Sequence, residues 1–553
     1  MKRLLINIIF IFCCCLIYAQ LVPIRDFRML RNAEKNTYDI DNKKHSSIRT
    51  YYITDFKDAP EVVDTMSGFL YDSPVFRLKT RMGKENFGMS ISPVYETFYG
   101  ININEISEGA FFFNGGVLAD VTLSDKLGLS YIFSFRLFDK LPDFFITQNY
   151  NNTILNGYDQ ISEKNNYFSQ NNDFKLTYLP FDFLKLEIAN SKNFFGDGYR
   201  SLLLSDNAKN YPYFKIETQF LDIKYSCIWA YLSYFTYDEV QHITYKKNNK
   251  LAVFHYLDWN VTKRFSIGLF ESVVASGKNF FDFEFLNPFI FFRPVDYSMG
   301  SSTNVIIGTN LKYSINSKNA FYLQVVIDDI VVKQLFNDLK HTFRKEYAGE
   351  YGWFANKWAV QFGEKSFDIG GIKNLDGFIE FNVARPYIYT QFDPNNNYAH
   401  YRQALAHPLG ANFVEIVCGT NYYFKDMFNI DLKLMFATLG MDASDRTHNG
   451  QNIFLPTMDG VQPGWLYQVP SYGNVILQGN KTNVFTTQLD FSYFISGNRN
   501  LTINCGAIIR CLNPENGIIP NENDLDYNLG AKKLYTYFYI GFRSNLKKLD
   551  MLH

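Results

Sequence analysis

The residues of this chain best suited to chemistry sit together in one segment, Asn193-Phe194-Phe195-Gly196-Asp197-Gly198-Tyr199-Arg200-Ser201-Leu202-Leu203-Leu204-Ser205-Asp206. Two glycines around an aspartate permit a backbone turn with positive φ. Tyr199, Arg200, Ser205 and Asp206 then present a stacking face, a fork of donors and a set of acceptors. Sugars are held in that way, with the apolar face of a ring on an aromatic and the hydroxyls in directional hydrogen bonds. The same residues also suit a loop folded into a protein interior and closed by a pair between Arg200 and Asp206. The two uses are compatible.

Other reactive groups are less well placed. Asp328 and Asp329 are adjacent, but neighbours in a strand point to opposite faces, so they do not share a substrate. A glycosidase needs two carboxyls at a set separation; the more natural reading is a charged lid between Val331 and Tyr351 with His341, Arg344, Lys345 and Glu346. His255, His400, His407 and His448 lack a Gly-x-Ser-x-Gly nucleophile elbow to serve. The loop Asn521 to Asn528 is rich in oxygen ligands but lacks the glycine and terminal glutamate of a calcium loop. We therefore assign no catalytic residue, metal site or cofactor.

The elements that must position these residues show an alternation. Leu432, Leu434, Phe436 and Thr438 share one face of a segment, and Asp431, Lys433, Met435 and Ala437 the other. Phe485, Thr487, Leu489, Phe491, Tyr493 and Ile495 oppose Thr486, Gln488, Asp490 and Ser492 in the same way. Leu501, Ile503, Cys505, Ala507 and Ile509 oppose Thr502, Asn504 and Arg510. Strand side chains switch faces with period two, so each segment reads as a strand with one oily and one wet face.

Composition points the same way. Met1 to Ala19 has a basic end, a short apolar core from Leu4 to Ile17 and an uncharged site before Gln20, as in a cleavable signal peptide. No lipobox precedes Cys13, Cys14 or Cys15, so acylation is not expected. No later apolar stretch is long enough for a helical span, and mean hydropathy is -0.17. The 54 Phe and 39 Tyr suit lipid-facing rings and interfacial girdles better than an ordinary core. With a net charge of -1 and no basic tract, nucleic acid is excluded as a partner. Of 7 Cys, Cys227, Cys418, Cys505 and Cys511 lie beyond the leader. Cys505 and Cys511 fall on one strand roughly 20 Å apart, beyond disulfide reach. Cys418, Cys505 and Cys511 share apolar faces and read as small hydrophobes facing lipid.

The chain divides into the leader 1–19, a polar lead-in 20–85 that is periplasmic or plugs a barrel, and strands over 86–553. About eighteen strands are expected, within the range of large barrels. They begin near Asn86, Ala110, Leu127, Asp173, Leu184, Tyr213, Ile223, Leu251, Arg264, Asn304, Ala320, Gly352, Asp376, Asn412, Met427, Val484, Asn500 and Leu534. Tight turns at residues such as Ser124-Asp125-Lys126, Val261-Thr262-Lys263 and Asn316-Ser317-Lys318 alternate with long polar connections. One weakly marked turn falls at Leu221 and Asp222. In outer-membrane barrels short turns face the periplasm and long loops the outside. The expected fold is thus all-β: a transmembrane antiparallel barrel with long extracellular loops and internal plug segments. The apolar Gly277 to Thr303 and Val331 to Tyr351 connections are the expected plugs.

The segment Phe195-Gly196-Asp197-Gly198-Tyr199-Arg200-Ser201-Leu202-Leu203-Leu204-Ser205-Asp206 resembles the Wzi-type capsule-assembly family and its gliding-motility RemB-like relatives, and the resemblance runs from roughly Asn86 to the last strand, leaving the polar lead-in outside it. Phe285-Leu286-Asn287-Pro288 with Arg293-Pro294, Val326-Ile327-Asp328-Asp329, Glu380-Phe381-Asn382 with Pro386-Tyr387-Ile388-Tyr389, and His407-Pro408-Leu409-Gly410 follow in the same order. The resemblance implies a non-enzymatic barrel of the bacterial outer membrane that binds surface polysaccharide and helps attach or assemble capsule or exopolysaccharide. Asp197, Tyr199, Arg200, Ser205, Asp206 and Arg293 are its candidate binding residues. Expected partners are extracellular polysaccharide, outer-membrane lipids and other envelope export or motility proteins. The alternatives are a porin-type diffusion channel, for which eighteen strands leave room, and a motility or adhesion accessory.

Overall fold

The computed structural model describes residues 23–24, 27–56, 76–82, 85–103, 109–139, 146–147, 153–154, 166–238, 243–277, 303–344, 350–425, 427–442, 448–457, 469–495, 501–515 and 532–544. A helix, Phe27–Tyr38, precedes the strands. They run Phe76–Met82 (β1), Glu85–Asn102 (β2), Gly109–Ser124 (β3) and Leu127–Asp139 (β4). Two-residue strands Ile146–Thr147 (β5) and Thr153–Ile154 (β6) follow, then Asn166–Phe181 (β7), Leu184–Ser191 (β8), Tyr211–Phe220 (β9) and Ile223–Asp238 (β10). Next come Ile243–Asn260 (β11), Phe265–Ser276 (β12), Asn304–Ser314 (β13), Asn319–Asp329 (β14), Lys357–Ser366 (β15) and Leu375–Ala384 (β16). After the small pair Ala399–His400 (β17) and Gln403–Ala404 (β18) come Phe413–Phe424 (β19), Phe428–Met441 (β20), Asn480–Phe494 (β21), Leu501–Pro514 (β22) and Lys533–Ser544 (β23).

From β2 each long strand pairs antiparallel with the next, and β23 returns to β2 through Tyr95↔Ser544 to Asn102↔Tyr537. The result is a closed barrel of eighteen strands. β1 takes the remaining edge of β2, from Phe76↔Ile91 to Met82↔Glu85. Closure satisfies every wall strand on both sides, as a bilayer demands. The two faces separate as the alternation predicts. Phe485, Leu489 and Phe491 are exposed to the lipid side, whereas Thr486, Gln488, Asp490 and Ser492 are buried in the lumen. On β23, Phe538, Ile540 and Phe542 point outward and Tyr535, Tyr537 and Tyr539 inward.

Some boundaries differ from the sequence reading. β7 begins at Asn166 and β11 at Ile243, well ahead of the expected Asp173 and Leu251. The first extension is rich in Asn and Gln and the second in Lys and Asn; beyond the apolar band both faces of a strand are wetted, and the alternation vanishes. The strand expected from Gly352 starts only at Lys357. Gly352 has φ +66 and takes part in a turn against Asn474. The weakly marked turn does fall at Leu221-Asp222, with Leu221 at φ +54.

Candidate functional site

Among the described residues, three segments in particular run into the lumen. The first is the connection from β8 to β9, which turns inward after Ser191 instead of rising into solvent. Phe195 and Leu204 bridge its two limbs, and Leu202, Leu203 and Leu204 are fully buried. Gly196 makes the turn at φ +132; a Cβ there would stand 1.9 Å from Gln324 Nε2, so a side chain is excluded by both conformation and space.

The wall opposite this turn carries a row of polar residues directly across from one another. Asn310, Gln324, Gln361, Asn382 and Glu415 come from β13, β14, β15, β16 and β19 in consecutive register. They clamp the inserted backbone. Gln324 Oε1 accepts from Leu202 N (2.9 Å), Gln361 Nε2 donates to Arg200 O (3.1 Å), and Asn310 Nδ2 donates to Asp197 Oδ2 (2.7 Å). One step along β16, Glu380 accepts from Tyr199 N (2.8 Å), Arg200 N (3.2 Å), Tyr322 Oη (2.9 Å) and Asn382 Nδ2 (2.8 Å). Four donors on two oxygens saturate a carboxylate. Glu380 therefore fastens the inserted backbone to the wall.

Arg200 closes the same network. Its Nη2 lies 3.3 Å from Glu415 Oε1, and Glu415 Oε2 accepts from Asn382 Nδ2 (2.9 Å) and His407 Nε2 (2.8 Å). His407 Nδ1 accepts from Leu409 N, which places the ring proton on Nε2, facing Glu415. Burial pushes the His407 pKa down, against the opposing pull of Glu415. The closing partner of Arg200 is thus Glu415 on the wall, where the sequence had suggested Asp206.

The second segment, 385–412, lies over the first. Tyr389 and Tyr398 donate to Leu202 O and Leu203 O (both 2.8 Å), and Ser205 N donates to Leu405 O (2.7 Å). Asp328 receives Tyr389 N at 2.7 Å, while Asp329 turns to Ile330 N. Non-glycine residues at positive φ gather here: Tyr387, Tyr389, Tyr401 and Arg402. Such strain is kept only where its surroundings enforce it. At the outer mouth Lys209 Nζ and Lys247 Nζ lie over the Tyr401 ring, 4.2 and 5.5 Å from its centroid.

The third segment is N-terminal. Arg31 forks onto Asp376 and Asp368, with Lys35 on Asp368 as well (2.6 Å), tying the helix Phe27–Tyr38 to the β15–β16 turn. Beyond the helix, Ser46 Oγ donates to Asp197 Oδ1 (2.5 Å), His45 meets Asp258 (2.9 Å) and Tyr52 donates to Glu187 inside the barrel.

The candidate residues therefore divide. Asp197, Arg200 and Ser205 are buried in the network, with Ser205 Oγ donating to Ala406 O. Tyr199 is half-buried, stacked on Phe378 at 4.7 Å beneath Lys433. Asp206 is half-buried, and its carbonyl accepts from Lys192 Nζ. Arg293, the bulk of the Gly277 to Thr303 connection and the acidic loop 521–528 lie outside the described residues. The other expected plug, Val331 to Tyr351, forms a helix at Val332–Phe343 whose outer side is exposed, so it does not fill the lumen. Burial drives the pKa values of His400 and His448 down to about 3, leaving both rings neutral. Among the described residues no cluster has the makings of a metal site.

Comparison with known proteins bears on the whole barrel. Residues 149–504 match the family of the capsule assembly protein Wzi, well over half of the chain. No curated protein matches the chain. Among solved structures, Wzi of Escherichia coli, described as an outer-membrane carbohydrate-binding β-barrel involved in group 1 capsule assembly, aligns over 95% of this chain and 100% of its own. Its TM-score is 0.52 at 9% identity. OccAB2 of Acinetobacter baumannii (8% identity, 82% of this chain, 97% of its own) and OprD of Pseudomonas aeruginosa (9%, 82% and 92%) reach TM-scores of 0.41 and 0.40.

Proposed function

This chain belongs to the capsule assembly protein Wzi family, and from that premise we propose that it binds an extracellular polysaccharide at its outer mouth and holds it on the cell, without catalysis. It is a β-barrel of the bacterial outer membrane. The observation that carries the reading is family membership together with the inserted segments 192–210 and 385–412, which occupy the lumen among the described residues and point to the outer surface as the place where function is exercised. Carbohydrate binding by the structurally similar Wzi barrel supports the same ligand class.

The geometry favours a division of labour within the candidate residues. Asp197, Arg200 and Ser205 brace the plug, while contact with glycan falls to groups nearer the mouth. Lys209 and Lys247, with their ammonium groups over the Tyr401 ring, gather two positive charges on an aromatic side chain, a fit for a sugar bearing carboxylate. The test is fractionation of polysaccharide in cells lacking the gene. Polysaccharide should move from the cell-bound fraction into the medium; an unchanged cell-bound fraction would sink the proposal.

A further inference from the structure

We propose that the helix Val332–Phe343 is an interfacial anchor that lies on the outer leaflet and engages its anionic lipid headgroups. The helix is divided along its length. Gln334, Asp338 and His341 face the protein: Gln334 donates to Tyr472 Oη (3.3 Å), Asp338 holds Gly352 N (2.6 Å) and Arg385 (2.9 Å), and His341 stacks on Tyr351 at 3.4 Å. The opposite side carries Val332, Phe336 and Phe343, which are 60%, 59% and 82% exposed. Steps of four and seven residues put these three on one stripe.

Beside the stripe stand Lys333, Lys340 and Arg344, all exposed, while Asp338 is turned inward. An apolar stripe with a basic border is the pattern of a helix lying in the plane of a membrane surface. The location agrees. Two residues, Ile330 and Val331, link the helix to the end of β14, whose Phe321 faces lipid. The helix therefore starts at the barrel wall, on the side of the long connections.

Val332 offers a sugar neither a stacking ring nor a hydrogen bond, and a continuous apolar stripe with acceptor-free cationic neighbours suits acyl chains and anionic headgroups better than a hydroxyl-rich glycan. Three like charges on one face work against a second copy of the chain. An anionic leaflet satisfies both the stripe and its border.

The test places tryptophan at Phe336, and separately at Phe343, in nanodiscs made with brominated acyl chains. Discs of phosphatidylcholine alone, phosphatidylcholine with phosphatidylglycerol, and phosphatidylcholine with lipopolysaccharide are compared. The emission added over the parent protein should fall by roughly half or more in the two anionic discs, as for a ring at the acyl boundary. The change should be smaller in phosphatidylcholine alone. Lys333→Glu with Lys340→Glu and Arg344→Glu should abolish the difference while the barrel keeps its heat-modifiable migration. Unquenched emission in every disc would overturn the proposal, as would quenching indifferent to headgroup and to charge reversal. A spectral shift produced in detergent by added polysaccharide, or by rising protein concentration, would overturn it in favour of a glycan or a second copy.

Discussion

Replacing Arg200 by alanine separates a brace from a binding residue. Arg200 is 5% exposed, and Glu415, its partner at 3.3 Å, is fully buried. Breaking a buried pair by removing one member typically costs about 3–5 kcal/mol, because the other charge is left uncompensated. Glu415 keeps two donors, His407 Nε2 and Asn382 Nδ2, so the low end applies, about 3 kcal/mol. That is roughly two decades in the ratio of folded to unfolded protein. The urea midpoint of the barrel refolded in lipid vesicles should drop accordingly. Glu415→Gln in the same background should recover part of the loss, with a coupling of about 1–3 kcal/mol. If Arg200→Ala shifts stability by less than about 0.5 kcal/mol, as surface changes do, while polysaccharide retention falls, Arg200 is a binding residue and the brace is refuted.

Further outcomes follow from the same geometry. Gly196→Ala should lower the folded yield and cost on the order of 1–3 kcal/mol, measured as the heat-modifiable fraction, since φ +132 and Gln324 both oppose a side chain. Burial alone would raise the Asp368 carboxyl, but the donors Lys35, Asn374 N–H and Arg31 outweigh it and hold its pKa well below the usual range. A carboxylate depressed by folding adds stability above its unfolded pKa of about 3.9 and loses it as pH falls toward the folded value. Amide exchange of the helix Phe27–Tyr38, corrected for intrinsic rates, should therefore be slow near neutrality and quicken below about pH 4; Asp368→Asn should quicken it at neutral pH. The parent barrel should show no steady single-channel conductance in planar bilayers, whereas replacing 387–409 by a short glycine turn should open one.

Much of the wall was legible because its physics is local. Phe485 against Thr486, or Met435 against Phe436, need only a period of two and a choice of which face meets lipid. The strand ends at Asn166 and Ile243 were not legible, because a strand that leaves the bilayer has no dry face to mark it. The polar row of Asn310, Gln324, Gln361, Asn382 and Glu415 was hidden for another reason. Each sits on a lumen face where any polar residue fits, and its meaning lies in cross-strand register, which depends on every turn length before it. The inward path of 192–210 and 385–412 left a fainter trace. Leu202-Leu203-Leu204 and Ala404-Leu405-Ala406 are apolar runs in connections where solvated loops would be polar.

The measurement that bears most directly on the proposed role is titration of the purified barrel with polysaccharide isolated from the same cells, comparing the parent protein with Tyr401→Ala, Lys209→Ala and Lys247→Ala combined. Saturable binding by the parent, weakened by added salt and reduced at least tenfold in the triple variant, about 1.4 kcal/mol or more of lost aromatic and charge contact, is the expected result. A parent protein that binds no polysaccharide while fully folded would contradict the account.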